Sequence, residues 1–133
     1  MNTVLKSTLI QAALVLGGLL LNPANAATPT LDGKTYSGDI AEAGKKKGDP
    51  DDFVFKDGQF VSTACQSLGF GPASYTATAE GEAIRFEATS KAGKGAAMQW
   101  KGLVRGGTLD ATALWVRPGK KTAEYHATGS LKN

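Results

Sequence analysis

The stretch AMQWKGLVRGGTLDATALW, residues 97–115, decides how the chain folds. A two-residue turn at Gly106-Gly107 makes it a hairpin in which Val104 faces Leu109, Trp100 faces Ala113 and Met98 faces Trp115. Residues opposite each other in an antiparallel pair share one side of the sheet. These side chains therefore gather on one apolar face, and Gln99, Lys101, Arg105, Asp110 and Thr112 take the other. Alternation with period two, broken by a glycine turn, specifies a half-buried β-hairpin.

The same pattern extends outward in both directions. Asp57-Gly58 and Glu80-Gly81 are further two-residue turns between alternating segments, of the kind that needs positive φ. Around the second, Ala77 is expected opposite Ile84 and Tyr75 opposite Phe86. Strands are expected at about 34–42, 52–57, 59–66, 73–79, 82–90, 96–105, 108–116 and 121–131. The chain is thus all-β, an eight-stranded antiparallel up-and-down meander closing into a small barrel. Nine of its ten aromatic residues can share the inner face, and only Phe70 falls in a loop. Small residues accompany them there, among them Gly38, Ser62, Ala77, Gly102, Ala111 and Gly129. Small opposite large suits either a tapered, filled barrel or one holding a modest cavity. An outer-membrane barrel needs an apolar outer band, and Arg85, Glu87, Lys101 and Arg105 on the outer face exclude it.

Residues 1–26 have the form of an export signal: Lys6, an apolar run from Leu9 to Leu21, then the small residues of ANA before a cut after Ala26. The apolar run of 13 residues is too short to span a bilayer. Residues 27–133 then form a single barrel domain of 107 residues, periplasmic or secreted, with no transmembrane segment. It carries 14 basic and 12 acidic residues, and a net charge of +2 is too mild to imply nucleic acid. With Cys65 as its one cysteine it cannot form an internal disulfide, so the core alone must stabilise it. A monomer is expected.

In a meander, successive loops alternate between the ends of the barrel. The DG, EG and GG turns fall at one end, and AGKKKGDPDD, QSLGFGPAS, SKAGKGAA and RPGKK at the other. The long-loop end gathers a basic rim of Lys45, Lys46, Lys47, Lys91, Lys94, Arg117, Lys120 and Lys121, against Asp49, Asp51 and Asp52. Such a rim would concentrate anionic partners.

This architecture resembles the calycin group, lipocalins and avidin-like barrels, as a strand pattern over residues 27–133. The first strand opens LDGKTYSG, with Thr35 where lipocalins show the Trp of Gly-x-Trp, and the biotin-contacting set of avidins has no match. The resemblance implies binding inside the mouth and carries over no ligand class.

No catalytic constellation is evident. His126 should point outward, AGKGAA lacks the Ser or Thr that ends a P-loop, and GDPDD lacks the pattern of a Ca²⁺ loop. Neither enzyme activity, a metal nor a cofactor is expected. Asp-Pro is read as a turn neutralised by the neighbouring lysines. Cys65 follows the inward candidate Ser62 by three residues, and a bulge would turn it into the core. An inward thiol suits an oxidising compartment, an intermolecular disulfide and a reactive thiol being the alternatives. The expected function is that of a non-enzymatic binding protein for a small, partly apolar or anionic ligand. Phe53, Tyr75, Met98, Trp115 and Tyr125 would line the mouth, with Trp100 deeper and Phe70 on a lid. The rival is a filled barrel acting through its loops as an inhibitor or partner of an envelope protein.

Overall fold

The computed structural model describes residues 30–132. The proposed export signal lies outside them. The strands are β1 (Thr35–Glu42), β2 (Asp49–Lys56), β3 (Gln59–Ser62), β4 (Ala73–Glu80), β5 (Ala83–Lys91), β6 (Ala97–Arg105), β7 (Thr108–Val116) and β8 (Ala123–Leu131). Each pairs antiparallel with the next, and β8 pairs with β1 from Tyr36↔Leu131 to Glu42↔Tyr125, closing the barrel.

The β6–β7 hairpin has the register its alternation predicts, with Val104↔Leu109, Trp100↔Ala113 and Met98↔Trp115. Phe55↔Phe60 likewise flanks the turn in which both Asp57 (φ 54°) and Gly58 (φ 77°) are left-handed. The β4–β5 hairpin corrects the expectation. Glu80 pairs with Ala83 and Ala77 with Phe86, so Gly81-Glu82 is the turn. Gly81 takes the positive φ of 63°, and no side-chain-bearing residue has to enter that region. The partners slide by two residues, which leaves every side chain on its expected face.

The third strand is shorter than the alternation suggests. It ends at Ser62, and Thr63–Gln66 form a single helical turn, α1, capped by Ser62, whose Oγ accepts the Cys65 N–H at 3.2 Å. Side-chain bonds to nearby backbone outcompete the ladder here. Cys65 is therefore buried, at 5% exposure, by a helical turn and not by a bulge. Because β3 is short, it meets β4 only at Gln59↔Ser74 and Phe60↔Ala73. The chain passes from β3 to β4 through α1 and the segment 67–72, whose Phe70 is 2% exposed.

The middle of the barrel is filled. Phe55, Phe60, Phe86 and Trp100 form a chain of rings with centroids 5.0–5.2 Å apart, and Phe53 joins it 6.0 Å from Trp100. Glycine makes room for them: a Cβ on Gly102 would lie 2.5 Å from Phe86 Cε1 and 2.7 Å from the Ala111 methyl. Small opposite large thus makes room for the rings that occupy the middle of the barrel. Leu31 is fully buried within the core cluster.

The long loops do share one end. Ala43 N–H donates to Glu124 O at 2.8 Å, joining the β1–β2 loop to β8. A Cβ on Gly95 would stand 3.1 Å from Pro118, so the β5–β6 and β7–β8 loops abut. No helix among the described residues is long and apolar enough to cross a membrane.

Candidate functional site

Above the filled core, at the long-loop end, lies a cleft of about 700 Å³. Its walls are the last inward residues of four strands and α1: Ile40, Met98, Trp115, Tyr125 and Cys65, with Leu68 on the lip. Lys45, Lys47, Glu42 and Asp49 complete the rim. The pairing Met98↔Trp115 places a thioether beside an indole, and the Tyr125 ring lies 6.4 Å from that indole. Phe70 meets the same indole edge-on at 6.4 Å.

Of the residues proposed from sequence, Met98, Trp115 and Tyr125 come together in this cleft, with Phe70 packed behind Trp115. Phe53 and Trp100 do not reach it; they belong to the filled core. Tyr75 stands at the other end. Because β4 begins opposite the start of β3, Tyr75 N–H donates to Gly58 O at 3.2 Å. Its hydroxyl donates to Asp32 Oδ1 at 2.8 Å and accepts from Leu31 N–H at 2.9 Å, closing the tight-turn end. The slide of β4 along the barrel axis cannot be seen in alternation alone.

The basic rim divides in the same way. Lys45 and Lys47 line the cleft, and Lys45 and Lys46 also border a second groove of about 440 Å³ beside Glu124 and His126. Lys91 is exposed at the end of β5, and Lys94, Lys120 and Lys121 on the neighbouring loops. Arg117 turns back: its guanidinium carbon sits 4.4 Å from the centre of the Trp115 ring, and its Nη2 donates to Lys121 O at 3.2 Å. A guanidinium on an indole face is a cation–π contact.

Sequence reading missed Asp51, which is 4% exposed and not a solvated loop charge. Its carboxylate accepts from Ser62 Oγ (2.5 Å), Thr63 Oγ1 (3.1 Å) and Ala64 N–H (3.0 Å), which anchors α1 to β2. Burial pushes its pKa up, and these hydrogen bonds act against that. Period-two alternation run backward from Phe55 and Phe53 points to Asp51, a signal overridden by reading GDPDD as a turn.

Burial also raises the Cys65 thiol, with the Asp51 carboxylate adding to the effect and Ser62 opposing it. A thiol so placed stays protonated and is a poor nucleophile. The Tyr125 hydroxyl is raised by burial and then by Glu42, with Arg117 opposing. His126 Nε2 is 2.8 Å from Asp110 Oδ1 on the outer face. No group of three or more His, Cys, Asp or Glu side chains suited to a metal occurs among the described residues. The arrangement can enclose an apolar body and offer it N–H donors and cations. No family model, curated protein or solved structure matches the chain.

Proposed function

We propose that the protein is an exported, non-enzymatic binding protein that takes a small, partly apolar ligand into the cleft at the long-loop end of its barrel. One observation carries the reading: the interior is filled up to Trp100, and open volume lined by Met98, Trp115 and Tyr125 begins above it. Aromatic and thioether walls with a few polar groups at the mouth are the usual make-up of a small-molecule site. Export follows from residues 1–26 and predicts a mature protein beginning at Ala27.

The direct experiment is native mass spectrometry of protein purified from its own cell envelope. A bound mass released on denaturation supports the reading. Loss of that mass on replacing Trp115 would assign it to the cleft. A second reading is supported by Leu68, 52% exposed beside the lysine loops: the loop end would then press on an envelope protein or act as an inhibitor. Ligand-free protein that captures one envelope protein through Leu68 would favour this alternative.

A further inference from the structure

We infer that the ligand of the cleft is a small carboxylate with an apolar body, whose head group accepts hydrogen bonds from the indole N–H of Trp115 and the Nε–H of Arg117. This rests on the cleft being a ligand site. The two nitrogens are buried and have no acceptor among the described residues. Indole and guanidinium N–H groups are donors only, so nothing but an acceptor satisfies them. A buried donor without a partner is costly, and a site holding such donors favours the ligand that supplies the missing acceptor.

The two donors also stand together. Trp115 is the last residue but one of β7, and Arg117 follows the strand's end at Val116. The guanidinium lies 4.4 Å from the ring centre, and its outer nitrogen is already committed to Lys121 O. One carboxylate has two oxygens, and these can serve the two remaining N–H groups at once. A single negative charge also suits the surroundings. Lys45 and Lys47 share the rim with Glu42 and Asp49, Lys45 standing 3.9 Å from Glu42, and Arg117 adds a further positive charge beside Trp115. Beyond the head group, Met98, Ile40 and Leu68 offer the apolar wall for the body. The rings of Phe70 and Tyr125 lie 6.4 Å from the indole, and both donors are buried, so the head group meets them only once neighbouring side chains move.

The test uses 3-phenylpropanoate, 3-phenylpropylamine and 3-phenylpropanol, which share one apolar body and differ in the head. Binding is followed by calorimetry and by the indole N–H resonances of the two tryptophans, Trp100 serving as the internal control. The carboxylate should bind at least about tenfold tighter than either analogue and move the Trp115 N–H signal downfield. Trp115→Phe, which keeps a ring and removes the donor, should erase that preference by weakening the carboxylate more than the alcohol. Arg117→Gln should weaken the carboxylate more than the alcohol, since only the carboxylate gains a charge-assisted bond. Equal binding of all three heads to the cleft would overturn this inference and leave the ligand-binding reading standing. No shift of any cleft residue with any head would overturn both.

Discussion

The Asp51 carboxylate and the Ser62 hydroxyl lie 2.5 Å apart, joining β2 to the residue that caps α1. Through this bond and those to Thr63 and Ala64, one buried carboxylate fixes the turn that carries Cys65 to the cleft wall. Replacing Asp51 by Ala should cost about 2–4 kcal/mol in urea unfolding, because three donors lose their acceptor in a nearly dry site. A cost below about 0.5 kcal/mol would mean that the turn holds without it.

The same residue gives a pH signature of defined sign. Its folded pKa is raised above the ordinary 3.8, so the folded state takes up its proton at higher pH than the unfolded chain. Stability from this group therefore increases as pH falls through the folded value and levels off below 3.8. Asp52, held low by Ser37 and Lys132, acts oppositely, losing its contribution as pH falls below that value. The difference in stability between wild type and Asp51→Asn isolates the Asp51 effect. It should move in favour of the wild type on acidification toward pH 4, as measured by urea midpoints; a flat difference would contradict the burial argument.

Cys65 should react with a disulfide reagent at least about a hundredfold more slowly in native protein than in denaturant, since its thiol is buried and kept protonated. Non-reducing gels should show monomer. Asp51→Asn should speed native labelling without unfolding the barrel, because it loosens α1. Rapid labelling of the wild type would refute the buried placement.

Why some of this was legible in sequence and some was not follows from how each feature is encoded. Trp100, Met98 and Trp115 were placed by pairing across a tight turn, which is local and fixed by period-two alternation. The inward turn of Cys65 is not encoded by a bulge: the switch from strand to helical turn depends on Asp51 reaching from another strand. The end at which Tyr75 stands is not legible in alternation, because strand stagger around a barrel depends on all the strands together. Whether the barrel was filled turned on the fit of Gly102 against Phe86, a matter of packing that composition leaves open.

The two tryptophans should respond differently to truncation. Trp100 is packed among Phe53 and Phe60, and Trp100→Ala should cost about 3–5 kcal/mol. Trp115 borders open volume, so Trp115→Ala should cost less in unfolding while impairing uptake of a ligand. Equal losses of stability, with ligand uptake intact, would place Trp115 in the core and remove it from the site.

Charge on the rim should act by position and not by number. Lys45 and Lys47 line the cleft, whereas Lys91 at the end of β5 and Lys94, Lys120 and Lys121 on the loops are exposed outside its lining. Converting Lys45 and Lys47 to Gln should slow association of an anionic probe such as 3-phenylpropanoate and also hasten its release, because charges that line the cleft stand beside the bound probe and act on it as well as on encounter. Converting the four outer lysines should reduce only the association rate, and that reduction should fade as salt screens charges beyond about 8 Å. Thermal stability should hardly change in either variant, since exposed charges contribute little to folding. Stopped-flow measurements at low and physiological salt separate the two. If the outer set altered release as strongly as Lys45 and Lys47, the anion would be held by the loops and not by the cleft.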